Sequence, residues 1–290
     1  MLKELWQSER SARQLQGFVV ANERVSDAIY LLDVFIPKRF IEVRAGQFLM
    51  LKAGLASDPL LNRPFSIHNV SFEKDGMHVW VLYLVKRVGT TLLTQKRPSD
   101  KIDLIIPLGN SFFSYLDLDA LKDLILVAGG IGVAPYYLFM NKVRKCCPNV
   151  KPKLFYGAKD APSLYKRWID ESMFSEIIYA TDNGSYGFKG NIIAALYHYL
   201  GQHQAVYNKN KLTIISCGSI NMLYKLNMML DKTKIDHIVS LEGPMGCGMG
   251  LCLGCVIESR DGSYVKLCQH GPIFKSNEIL WEKLPFLNLS

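Results

Sequence analysis

Residues 124–140 read LILVAGGIGVAPYYLFM, and the meaning of this run decides the fold. It approaches the length of a membrane span, but Gly129, Gly130, Gly132 and Pro135 interrupt it and no matching basic flank accompanies it. An apolar stretch that stops in a glycine turn and restarts as a helix from about Val133 describes a buried strand feeding a helix. At such a strand end the unpaired N–H groups and the helix dipole favour an anion, and glycines let a pyrophosphate come close. The spacing is not G-x-G-x-x-G, so the ordinary Rossmann fingerprint does not apply. Gly129, Gly130, Gly132 and Pro135 are the first candidate nucleotide contacts.

Downstream, strand and helix alternate. KLFYGAKD and EIIYATDNG precede a helix near Asn191–Leu200, and LTIISCGS precedes another near Asn221–Leu230. Such alternation argues for a parallel sheet covered by helices. Two of its strands stop in small polar residues, Thr181-Asp182-Asn183-Gly184-Ser185 and Ser216-Cys217-Gly218-Ser219. Ligands of open α/β sheets bind at strand ends, although either stretch is also what a plain loop looks like.

Upstream the pattern is different. GFVVAN, AIYLLDVFI, GQFLMLKAG, MHVWVLYLV and KIDLIIPLG are short β-type runs separated by turn residues, as in a small antiparallel barrel. Within them Arg63-Pro64-Phe65-Ser66 combines a guanidinium able to hold a diphosphate bidentately, a stiff turn and a hydroxyl able to reach a ring edge. Gly89-Thr90 offers N–H groups and a hydroxyl at a helix start. By itself each is a weak pattern, and a surface turn reads the same way.

The C-terminal fifty residues hold four of the seven cysteines, as Cys247-x4-Cys252-x2-Cys255-x12-Cys268. Three thiolates on a glycine-rich loop and a fourth from a later strand suit a plant-type [2Fe–2S] cluster. Four thiolates also suit Zn²⁺, though its sites more often pair C-x2-C units. Buried free thiols are the third reading. An odd cysteine total, with no signal-peptide pattern in MLKELWQSERSARQ, argues against a disulfide framework and against export. Cys146 and Cys147 are expected to be helix-end thiols, and His68, His270, Tyr136 and Tyr137 structural.

The chain has 290 residues, is 49% hydrophobic and carries a formal charge of +8. Two domains with an appendage fit that length. The charge lies in no concentrated stripe, so dinucleotide phosphates account for it without nucleic acid or membrane. No Ser–His–Asp or paired-carboxylate arrangement supports hydrolysis.

In this order the motifs resemble the ferredoxin-reductase superfamily, and within it the electron-transfer subunits of type B dihydroorotate dehydrogenase. The resemblance runs from about Gly17 to Phe274, most specifically in MGCGMGLCLGCV and KLCQHGPIF. It implies an FAD-binding β-barrel over 16–117, an NAD(P)-binding α/β domain over 118–240 and a [2Fe–2S] module over 241–290, and it leaves residues 1–15 as an extension it does not explain. It implies that Arg63, Pro64, Phe65, Ser66, Leu82, Tyr83, Leu84, Gly89 and Thr90 hold FAD. Gly129, Gly130, Gly132, Pro135, Cys217 and Gly218 would face NAD(H), and Cys247, Cys252, Cys255 and Cys268 would ligate the cluster. No protein acid or base is expected to be catalytic. The implied partner is an FMN-containing catalytic subunit, in a cytoplasmic hetero-oligomer that oxidises dihydroorotate to orotate in pyrimidine biosynthesis. A subunit of anaerobic sulfite reductase or hydrogenase is the alternative within the same chemistry. A zinc-stabilised nucleotide-binding regulatory module is the alternative outside it. Three sites depart from the family pattern: Arg87 where glycine is common, Ser219 in place of proline after Cys-Gly, and the pair Gly243-Pro244 before Met245.

Overall fold

The computed structural model describes residues 12–287 except 55–58, 119–120, 122, 168, 204–211, 232, 234 and 285. Residues 1–11 of the N-terminal extension lie outside the described residues, and its last residues belong to the first strand.

Seven antiparallel strands form the first sheet: β1 Arg13–Arg24, β2 Ile29–Pro37, β3 Phe48–Leu51, β4 Arg63–Ser66, β5 Asn69–Glu73, β6 Gly76–Leu84 and β7 Lys101–Leu108. Their order is β4-β3-β7-β1-β2-β6-β5. From Leu32 to Pro37 buried and half-buried residues alternate along β2, because successive side chains of a strand point to opposite faces. Past β4 the His68 amide donates to the Trp80 carbonyl at 2.9 Å, so the chain crosses to β6 and the sheet curls into a barrel. Arg63–Ser66, which reads as a turn in isolation, is itself a strand paired with β3. The one α-helix among the described residues of this half, α1 Val88–Leu93, carries Gly89-Thr90 in its first turn.

The second sheet comprises β8 Asp123–Gly129, β9 Lys153–Ala158, β10 Glu176–Thr181, β11 Phe188–Lys189, β12 Leu212–Cys217 and β13 Asp236–Ser240. These strands are parallel, in the order β11-β10-β9-β8-β12-β13. Every residue of β12 is buried, as expected for a central parallel strand covered on both faces. The covering helices are α2 Tyr136–Cys146, α3 Ile192–Gln202 and α4 Ile220–Leu230. Asn191 caps α3 by accepting from the Ala194 N–H, and Ser219 caps α4 by accepting from the Met222 N–H. Ser219 thus supplies a cap where the family pattern has proline. The helix expected from about Val133 starts later: Gly130–Val133 is one 3-10 turn, and α2 begins at Tyr136. Cys146 is the last residue of α2 and Cys147 its C-cap.

The C-terminal segment carries a hairpin of β14 Val256–Glu258 and β15 Tyr264–Lys266, the short helix α5 Leu267–His270, and β16 Ile273–Lys275. β16 pairs antiparallel with β13, so this segment extends the nucleotide-side sheet rather than hanging free. Its interior joins Trp281, Leu267 and Cys268 to Phe48, Met50 and Leu108 of the barrel in one buried cluster.

Candidate functional site

Two clefts open between the barrel and the α/β sheet. The smaller, of about 210 Å³, is lined by Pro64, Phe65 and Ser66 of β4 and by Leu82, Tyr83 and Leu84 of β6. Tyr83 is buried, stacks on Tyr30 with centroids 5.6 Å apart, meets the edge of Phe65 and donates to Asn22 Oδ1 at 3.0 Å. Burial pushes its phenol well above the ordinary range, so it is a neutral wall and hydrogen-bonding group. Arg63, Gly89 and Thr90 sit together at the start of α1. A Cβ on Gly89 would lie 2.8 Å from Arg63 Nε, so the helix start packs directly on the Arg63 side chain. The Thr90 hydroxyl is engaged locally, accepting from the amides of Lys86 and Arg87 and donating to the Arg87 carbonyl. It fixes the turn that carries Arg87, the residue standing where the family commonly has glycine.

The larger cleft, of about 520 Å³, lies over the C-terminal ends of the parallel strands and is lined by Gly129, Gly130 and Gly218 among others. Gly130 has φ +53°, a left-handed turn that glycine adopts without penalty. A Cβ on Gly132 would lie 2.1 Å from the Cys217 carbonyl, so the turn can pack on the end of β12 only as glycine. Gly132, Pro135 and Cys217, expected to face the nucleotide, line neither cleft: Gly132 packs on Cys217, and Pro135 is the N-cap of α2. The Cys217 thiol is fully buried, and that burial drives its pKa far up, reinforced by the Glu242 charge. Tyr136 ties the floor together by donating toward the carbonyls of Val127 and Ile215, both at 3.0 Å. Asp182, Lys159 and Asn191 complete the outer end. Lys86 and Glu242, not singled out from sequence, line both clefts. Only the joining of distant segments reveals them.

The four cysteines gather as two pairs. Cys255 and Cys268 face each other with sulfurs 3.3 Å apart, and Cys247 is hydrogen-bonded to Cys252. Partial burial opposes ionisation of Cys247, but N–H donors from Cys252, Met249 and Leu251 outweigh it and hold the thiol at about 6. Burial and the facing Cys255 push Cys268 up to about 12. Among the described residues no three metal-binding groups converge on one point. Two adjacent thiol pairs under a glycine loop with amides aimed at sulfur are what a binuclear cluster asks for. A Cβ on Gly248 would lie 2.6 Å from Met50, which seats the loop directly on β3 of the barrel. On its outer side Leu251 and Leu253 are 77% and 61% exposed beside the exposed Cys252.

A groove on the barrel, a cleft at the parallel strand ends and a cysteine-bearing segment packed against the barrel make up a fold of the ferredoxin-reductase type. The solved structures agree on this fold. One titled "Insights into flavin-based electron bifurcation via the NADH-dependent reduced ferredoxin-NADP oxidoreductase structure" has TM-score 0.77 at 20% identity, covering 92% of this chain and 91% of that one. The ferredoxin reductase of carbazole 1,9a-dioxygenase has TM-score 0.61 at 20% identity, covering 77% and 67%. The family described as "Iron-sulfur cluster binding domain of dihydroorotate dehydrogenase B" matches residues 242–280, which goes against the zinc alternative. "Dihydroorotate dehydrogenase B (NAD(+)), electron transfer subunit" of Desulforamulus reducens is 35% identical over 91% of this chain and 97% of its own. The same subunit of a Geobacillus species is 32% identical over 92% and 99%. The chain belongs to this family of electron-transfer subunits.

Proposed function

We propose that the chain carries electrons between NAD(H) and an FMN-containing catalytic subunit, through FAD and one [2Fe–2S] cluster, in the oxidation of dihydroorotate to orotate. The observation that carries the reading is contiguity. The flavin groove shares Leu84, Lys86, Ile131 and Glu242 with the nucleotide cleft, and Met245 lines the groove while packing against the core that holds Cys255 and Cys268. FAD, when bound, exchanges hydride with a nicotinamide and single electrons with a cluster, and so links the two kinds of carrier.

The protein's part is binding and placement. Arg63 serves the flavin diphosphate, with Gly89 and Thr90 shaping the turn beside it. Pro64, Phe65, Ser66, Leu82, Tyr83 and Leu84 take the ring system. Gly129, Gly130 and Gly218 let the nucleotide approach, while Gly132, Pro135 and Cys217 support them. Cys247, Cys252, Cys255 and Cys268 hold the cluster. No helix among the described residues is long and apolar enough to cross a membrane, and we place the chain in the cytoplasm. The apolar rim of Leu251 and Leu253 faces the catalytic subunit. The test is reconstitution: the FAD- and iron-loaded chain with a cognate catalytic subunit should reduce NAD⁺ with dihydroorotate. Failure of that reaction with both proteins loaded would overturn the assignment.

A further inference from the structure

A hydride passes from NADH to a flavin, oxidising the one and reducing the other by two electrons, only when the reacting atoms are held about 3–3.5 Å apart. The spacing of the groove's walls therefore matters as much as what lines them. One wall is β4, with Pro64, Phe65 and Ser66; another is the turn after β8, with Ile131 and Ala134. His68 joins the two. It stands two residues beyond β4 and is buried, and its amide donates to the Trp80 carbonyl of β6 at 2.9 Å.

Its ring crosses to the other half of the fold. Nδ1 lies 2.7 Å from the Ala134 carbonyl, 66 positions on, and because a carbonyl only accepts, Nδ1 carries the proton. The ring stacks on Tyr137 of α2 with centroids 5.1 Å apart and meets the edge of Tyr165 at 6.1 Å. Nε2 is buried with no hydrogen-bond partner among the described residues, so a single bond, through Nδ1, ties the ring to the turn. We propose that His68 is a positioning residue for the transfer between nicotinamide and flavin: its Nδ1–H bond to Ala134 holds the nucleotide turn at a set distance from β4 and so fixes the width of the groove. His68 lines neither cleft and acts through Ala134. This assignment rests on reading the clefts as nucleotide and flavin sites and adds to that reading the residue that holds them in register.

Asparagine and glutamine separate the two ring nitrogens, since the Asn amide nitrogen takes the place of Nδ1 and the Gln amide that of Nε2. The measurements use the full-length protein loaded with FAD and cluster. His68→Gln should slow flavin reduction by saturating NADH about tenfold, as a misplacement of about 1 Å can cost about 10²-fold. Its FAD content, and its NAD⁺ affinity by titration calorimetry, should stay at the parent's level. In the absence of NADH, its amides over residues 131–139 should exchange with deuterium faster, because the turn has lost its anchor. His68→Leu, which also lacks the donor and buries no polar atom, should behave as His68→Gln, and His68→Asn should restore both the rate and the protection. Parent-like reduction or parent-like exchange in the donor-less variants, or an Asn variant as slow as they are, would overturn the role of His68. Slowing that merely follows lost FAD or NAD⁺ binding would overturn it too. A parent protein whose flavin NADH does not reduce would sink the cleft reading itself.

Discussion

Asn110 and Ile273 bind each other reciprocally: Asn110 Nδ2 donates to the Ile273 carbonyl at 2.8 Å, and the Ile273 N–H donates to Asn110 Oδ1 at 2.9 Å. The same Nδ2 reaches the His270 carbonyl at 2.6 Å, and the Asn110 amide donates to Gly271 at 2.7 Å. One buried side chain after β7 therefore clamps the barrel to the segment between the last cluster cysteine and β16. Asn110→Ala would leave buried carbonyls and an N–H without partners, at a cost of about 2–4 kcal/mol. We expect a lower unfolding midpoint and faster loss of cluster absorbance on warming; a parent-like midpoint would deny the clamp.

The thiol pairing predicts about two irons and two sulfides per chain. Cys252→Ser should bleach the visible iron–sulfur absorption and leave the flavin bands. Stoichiometric zinc without acid-labile sulfide in anaerobically prepared protein would contradict the cluster assignment.

Arg63 packs against Gly89 at the start of α1, at the edge of the flavin groove. Removing a charge-assisted phosphate contact costs about 1.5–3 kcal/mol. Arg63→Ala should therefore shed FAD on gel filtration. Flavin retained as in the parent would show that Arg63 does not hold the diphosphate.

Two buried histidines predict acid lability. Burial lowers His68 from 6.5 to about 4, against a raising bond to the Ala134 carbonyl, and burial lowers His237 from 6.5 to about 3. Below about pH 6.5 the unfolded chain takes up protons that the folded one refuses, so stability rises with pH in this window. It is fully present above 6.5 and lost as pH falls toward the folded values. Each histidine contributes a slope of about 1.4 kcal/mol per pH unit. His237→Leu should flatten the urea-unfolding slope between about pH 5 and 6.5 by that amount; an unchanged slope would mean His237 is not held neutral.

The isolated chain should oxidise NADH with artificial acceptors yet leave dihydroorotate untouched. Dihydroorotate oxidation needs a base and a flavin in a pocket shaped for the pyrimidine, whereas the groove proposed for FAD adjoins the nucleotide cleft. Turnover of dihydroorotate by the pure chain would remove the need for a partner. Leu251→Lys with Leu253→Lys should weaken coupling to the catalytic subunit while sparing dye reduction.

The parallel half of the fold was legible because its strands are continuous apolar runs with glycine or small polar ends, and α3 and α4 fall within a residue or two of their expected starts. β4 and β5 were not: Arg63-Pro64-Phe65-Ser66 has no alternation of its own and becomes a strand only by pairing with β3. α2 starts three residues beyond Val133, where the sequence places it, because the turn after β8 tightens into a 3-10 form where Gly132 presses on Cys217. β16 was invisible for the same reason as β4, being three residues long and made by its partner β13.

What the sequence determined by itself was local chemistry: the cysteine spacing, the glycine turn and the two alternation patterns, each set within a few residues by bond geometry and side-chain period. What the tertiary structure decided was adjacency. Lys86 lies just past β6 and Glu242 just past β13, 156 positions on, and nothing in either neighbourhood marks the two as one site. They line the same two clefts because the barrel packs against the α/β half, and that packing follows from burial of apolar surface, which is non-directional and is summed over the whole chain.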